Sequence, residues 1–237
     1  MMWQTLVSLW LVVAPAAPFT VQTVDGESAT GTLVRLDAAQ LVLAGTNGEV
    51  SFPVASLAAV NRSVQAPAAD AKATVTVELI DESRVYGVDF TAAANKVQLK
   101  LADGTTLRFV TSAIRWVRFG PVAQQDSKLT KQWSEIVESK ADGDLLVIRK
   151  EGALDYLEGV VGDVSDEACT FEYDKEPIQV KRPKIEGLVY FQAKPSELPE
   201  AIGRLILADG SQWALRTASV ADGKLQAGTV TGTQLEL

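Results

Sequence analysis

The chain carries 30 Asp and Glu side chains and not one His. A Ser-His or Cys-His couple, a His-ligated zinc and an imidazole switch near neutral pH are therefore excluded. Many of the carboxylates fall in Asp-Gly steps: Asp25, Asp103, Asp142, Asp209 and Asp222. Asp in such a step is accounted for by its tolerance of left-handed backbone and by local hydrogen bonding. Glycoside hydrolysis needs two carboxylates facing each other across a cleft, one with a raised pKa, and the sequence nominates no such pair. Neither a Gly-rich phosphate loop nor a calcium-loop pattern occurs. The expectation is a non-catalytic protein that needs no cofactor or metal.

Binding groups are easier to find. Lys181, Arg182 and Lys184, broken by Pro183, form the one basic cluster, which reads either as a solvated face or as a contact for an acidic glycan or phosphate. Trp116 stands where the repeat described below carries Ala59 and Gly187, so its ring faces either a neighbouring unit or a ligand. Tyr86, beside Gly87, belongs to the same candidate surface. Trp213 falls at the position of Val85 and Leu157 and reads as core. Cys169, the single cysteine, lies in an alternating apolar stretch and reads as a buried strand thiol.

The elements that must hold these residues emerge from comparing the chain with itself. A shift of 56 residues superposes Asp25 on Asp81, Gly31 on Gly87, Leu43 on Leu99 and Gly48 on Gly104. Further on, Gly159 stands 72 residues after Gly87, and Ile185 and Leu188 stand 71 after Ile114 and Val117. A fourth copy begins near Arg204, with Asp209, Leu225, Gly232 and Leu235 each 128 residues after Asp81, Val97, Gly104 and Leu107.

Every copy has the same grammar: short alternating or apolar runs separated by Asp-Gly or Asn-Gly, the strongest short-range hairpin signals. In the first copy Pro53 ends the fourth run, and Ala55 to Leu57 suits one 3₁₀ turn before a closing run. Four strands, a 3₁₀ turn and a fifth strand is the order of SH3-like and Sm-like barrels, so the expected fold is all-β, a tandem of such barrels. Units of this size are marginal alone, so the copies should pack on one another.

The expected boundaries are a signal peptide at 1–17, repeats at 18–64, 74–120 and 141–192, and an incomplete repeat at 201–237. Between repeats two and three, Leu129, Trp133, Ile136 and Val137 recur at helical spacing. With Asp126 or Ser127 as N-cap they predict a connecting helix within 124–140, covering a barrel mouth or a sheet edge. The fourth repeat ends without counterparts of Ile114 and Val117, which implies either a borrowed strand or a chain that continues.

The stretches Asp144 to Lys150, Leu154 to Val164 and Lys184 to Tyr190, with Leu207-Ala208-Asp209-Gly210, resemble the N-terminal region of planctomycete secreted proteins that continue into an NPCBM/NEW2 domain. The resemblance covers nearly the whole chain after residue 17. It implies export and a sugar-binding jelly roll downstream, and it carries no sugar-contacting residue onto this chain. The apolar run Trp3 to Val13 followed by Ala14, Pro15, Ala16 and Ala17 independently resembles a secretory signal, although its start lacks Lys and Arg.

A secreted or periplasmic protein with no membrane span after cleavage is expected. Its net charge of -8 disfavours nucleic acid. The partners that remain are a polysaccharide or another protein, with the chain acting as a structural or interaction module, or alternatively as a direct carbohydrate or cell-wall binder.

Overall fold

The computed structural model describes residues 18–62, 73–121, 126–193, 197–221 and 224–237. The expected signal peptide, residues 1–17, lies outside them. Among the described residues the fold is all-β and antiparallel apart from one α-helix and single turns of 3₁₀ helix. It divides into two compact units, the described residues of Met1–Gln65 with Ser219–Gly223, and those of Ala66–Ala218 with Lys224–Leu237.

In the first unit β1 (Phe19–Thr23) pairs with both β2 (Ser28–Leu36) and β5 (Leu57–Arg62). Strand β3 (Gln40–Gly45) lies between β2 and β4 (Gly48–Pro53), giving the order β5-β1-β2-β3-β4. Val21, Leu41, Leu43 and Phe52 form its core. Residues of the later segment complete this unit, with Val220 opposite Leu36.

The second unit repeats that order twice. Strand β6 (Val75–Leu79) pairs with β7 (Arg84–Gly87) and with β11 (Ile114–Phe119), while β8 (Asp89–Ala93), β9 (Lys96–Lys100) and β10 (Thr106–Val110) run as a meander. Likewise β12 (Asp144–Lys150) pairs with β13 (Ala153–Val164) and β16 (Ile185–Val189), and β14 (Ala168–Tyr173) and β15 (Glu176–Lys181) follow β13. A third set, β17 (Gly203–Ile206), β18 (Gln212–Ala221), β19 (Lys224–Thr229) and β20 (Gln234–Glu236), holds β17 against β18 and β19 against β20. Phe90, Leu99, Val117, Leu146, Phe171, Leu188, Trp213 and Leu235 belong to one shared hydrophobic core.

The expected order of four strands, a 3₁₀ turn and a fifth strand is present: one turn, at Val54–Ser56, Thr111–Ala113 or Arg182–Lys184, precedes a fifth strand that pairs with the first. The sheets are not closed, since no ladder joins the fourth to the fifth strand of any copy among the described residues. The hairpin chemistry also differs. The turns with positive φ at both central residues are Ala94-Asn95, Glu151-Gly152 and Asp174-Lys175. The Asp-Gly steps at Asp25, Asp103 and Asp209 instead close wider turns, in which only the Gly is left-handed. There the Asp103 and Asp209 carboxylates accept from Thr105 and Ser211 N–H.

The helix α1 (Ser127–Val137) is capped by Asp126, whose carboxylate accepts from Lys128 N–H. It covers a sheet face rather than a mouth or an edge: Trp133 and Ile136 pack on Trp116, Leu145 and Val147. That face is broad because β11 and β16 pair with each other, joining copies two and three into one sheet. Gly187 admits the helix, since a Cβ there would collide with the Trp133 ring and the Val117 carbonyl.

The joining contacts follow local two-fold symmetry. Val117 pairs with Leu188, its own equivalent, and Ala92 pairs with its equivalent Val164. Copies two and four meet the same way: Tyr86 N–H donates to Ser211 Oγ at 3.1 Å, and Ala214 N–H to Ser83 Oγ at 2.8 Å. Both the donors and the acceptors of that reciprocal pair are 128 residues apart.

Candidate functional site

Strand β6 is buried along its whole length, which places Glu78 inside with Val77 and Leu79. Its carboxylate, 7 % exposed, accepts from Trp116 Nε1 at 3.0 Å and from Arg115 at 3.0 Å, and pairs with Arg84 at 2.7 Å. That bond to Glu78 is the main reason the Arg84 pKa is raised above its ordinary value, burial opposing it. The Arg84 guanidinium lies over the Trp116 ring, 5.7 Å from its centroid, and Trp133 meets the same ring edge-on at 5.6 Å and 79°. A cleft of about 320 Å³ opens beside these groups, between the sheet and α1, with Tyr86, Ser134 and Glu138 on its walls.

Trp116 and Tyr86 thus share one cleft, as one surface requires, but the Trp116 ring is 8 % exposed and enclosed by Arg84 and Trp133. It is a packing element between β11 and the helix, and offers no open face for a sugar. With three donors already on it, Glu78 serves as an anchor for Trp116 and the two arginines.

A second network lies nearby. Arg118 and Glu186 are 4 % and 5 % exposed and bond at 3.0 Å, and Arg149 bonds the other oxygen of Glu186 at 2.7 Å. Arg118 also lies 5.4 Å from the centroid of the Trp133 ring and donates to Thr130 Oγ1 at 3.4 Å. It ties the helix to the joined sheet.

The basic cluster divides. Lys181 is exposed on β15, outside the cleft that its neighbours line. Arg182 and Lys184 line a separate cleft of about 320 Å³ with Phe119, Arg149, Pro183 and Glu186. The Arg182 Cζ sits 3.1 Å from the Phe119 ring centroid, and burial pushes the pKa of this arginine down to about 10. Its Nε is buried and has no hydrogen-bond partner.

Trp213 and Cys169 are core residues, and burial pushes the Cys169 thiol up to about 11. No group of three or more Cys, Asp or Glu among the described residues is placed to hold a metal ion. No helix among them is long and apolar enough to cross a membrane.

The sequence reading missed Glu78, Arg84, Arg118 and Glu186. A usable signal existed for the first two. Pairing registers place Val147 and Tyr156 of copy three at the positions of Glu78 and Arg84, so charge appears where the sibling copy has none.

No known protein-family model matches the chain, and no curated protein matches it.

Proposed function

We propose that the chain is a non-catalytic, extracytoplasmic structural and interaction module. In this reading it is a tandem of small SH3-like or Sm-like units that spaces or presents a carbohydrate-binding domain, as the resemblance to the NPCBM-associated proteins implies, or docks a protein partner. The strand order β5-β1-β2-β3-β4, with a 3₁₀ turn before the last strand, supports the unit type.

The observation that carries the reading is how copies two, three and four are joined. Main-chain ladders, reciprocal Ser-to-backbone bonds and one common core make them a single block, whereas a flexible string of binding beads needs none of these. Glu78, Arg84 and Arg115 of the Trp116 cleft are spent on internal pairs, as a scaffold requires. Direct sugar binding through Trp116 has less support, because the ring is enclosed.

Native-state hydrogen exchange on the full chain tests this. A block predicts that amides of β6, β11, β12 and β16 exchange through one shared global opening. Separate opening free energies for copies two and three would remove the scaffold reading. Turnover of a polysaccharide, abolished by substituting Glu78 or Glu186, would replace it with a catalytic one.

A further inference from the structure

The cleft at Arg182 is unlike the other polar sites of the second unit in its charge balance. Its one lining carboxylate, Glu186, is already shared between Arg118 and Arg149. Arg182 and Lys184 form no ion pair among the described residues, and Asp89 acts on Arg182 only at longer range. Two cations that form no ion pair, beside Arg149, outnumber the one lining carboxylate and make a local reversal of sign in a chain of net charge -8.

The fold does not require these charges. The 3₁₀ turn that holds them is neutral in the other copies, Thr111–Ala113 in the second and Val54–Ser56 in the first, and it forms there equally well. What copy three adds is positioning. Pro183 fixes the turn between the two cations, and the Phe119 ring holds the Arg182 guanidinium at 3.1 Å. That leaves a partly desolvated arginine whose Nε is buried without a partner, so the donors it can turn to the cleft are its two Nη groups, a pair that suits the oxygens of a carboxylate, sulfate or phosphate.

From this arrangement we infer that the cleft between Phe119 and the Arg182–Lys184 turn binds an oxyanion, held by Arg182 and Lys184, with Arg149 beside them. The cavity, about 320 Å³, admits a free anion or one acidic sugar residue. The inference stands apart from the scaffold reading, because a rigid block can exist with or without this site.

Isothermal titration calorimetry on the full chain tests it with inorganic phosphate, sulfate, an oligogalacturonate and a neutral galacto-oligosaccharide. Heat from at least one anionic probe, weakening as salt is raised, and none from the neutral one, is the expected result. Phosphate or sulfate alone would identify a free-ion site, and a tighter oligogalacturonate an acidic glycan; both support the inference.

Lys184→Gln, at an exposed position, should weaken binding roughly tenfold with an unchanged melting temperature. Arg182→Gln should weaken it at least as much, and circular dichroism will show whether that variant stays folded. No heat from any anionic probe at low salt overturns the inference, as does binding that both folded variants retain. Equal binding of the neutral oligosaccharide overturns it too.

Discussion

Replacing Glu186 by Gln isolates what the buried charge network contributes. Arg118 and Glu186 are each at least nineteen-twentieths buried and 3.0 Å apart. At an effective dielectric of about 20, unit charges at that separation attract by about 5 kcal/mol, against a desolvation cost of several kcal/mol per ion. The net worth of the intact pair is therefore small. Losing one partner is not, because Arg118 would lose the carboxylate that bonds both its Nε and its Nη2 while staying buried, at a cost of about 3–5 kcal/mol.

Arg149, half exposed, can turn to water and adds little to that penalty. Set against a typical stability of about 5–15 kcal/mol, the loss is a large fraction of the whole. Urea unfolding followed by tryptophan fluorescence should show a much lower midpoint with an unchanged slope. The double variant Arg118→Met, Glu186→Leu removes both charges and should return to within about 1 kcal/mol of the parent. Two results would refute the reasoning: a loss under about 1 kcal/mol for Glu186→Gln, or a double variant less stable than either single one.

Gly187→Ala should cost about 1–3 kcal/mol or more in the same assay, because its Cβ meets the Trp133 ring and a backbone carbonyl. Gly203→Ala, where a Cβ meets nothing within 4 Å and φ is not positive, should be neutral or stabilising by up to about 1 kcal/mol. Cys169, with its thiol pushed up to about 11, should resist a thiol reagent at neutral pH in the folded chain and react at once in urea; fast native labelling would contradict its burial. Burial raises the Asp144 pKa above 3.8, although Phe191 and Val161 N–H groups donate to its carboxylate and oppose the rise. The folded state therefore holds this proton to higher pH than the unfolded one, so the Asp144 contribution is present at low pH and lost as pH rises through that window. Melting temperatures of the parent and of Asp144→Asn, compared from about pH 3 to about pH 6, should show the parent's relative stability falling as pH rises.

Much of the fold was legible because turns leave strong local marks. Gly31, Gly87 and Gly159 recur at equivalent places since the neighbouring strands come too close for any side chain. The helix was legible from Leu129, Trp133 and Ile136, all of which it buries. What it covers was not, because the face that accepts it exists only once β11 and β16 have paired, seventy-one residues apart in equivalent positions. The candidate site was legible only as residue types. Trp116 stood out by its size against Ala59 and Gly187, yet whether its ring is open depends on Arg84, Glu78 and Trp133, which reach it from three other elements. Arg182 and Lys181 are adjacent in sequence, and only the 3₁₀ turn brings the former into a cleft and leaves the latter on a strand.

The two-fold contacts explain why equivalent positions have become unlike. When two copies pair antiparallel about Val117 and Leu188, the residues flanking the axis face each other across it: Trp116 lies opposite Val189, and Arg118 opposite Gly187. Identical copies would put two tryptophans and two arginines on one face of that joined sheet. The chain instead keeps one Trp and one Arg on β11, leaves Gly187 bare on β16, and brings the second ring in from the helix as Trp133. Arg118, set opposite that glycine, then has room to lie against Trp133 and reach Glu186. The asymmetry of the repeat is thus the means by which a helix can seal a symmetric junction. It also accounts for the placing of the most deeply buried ion pair, Arg118 with Glu186, at the seam between copies two and three.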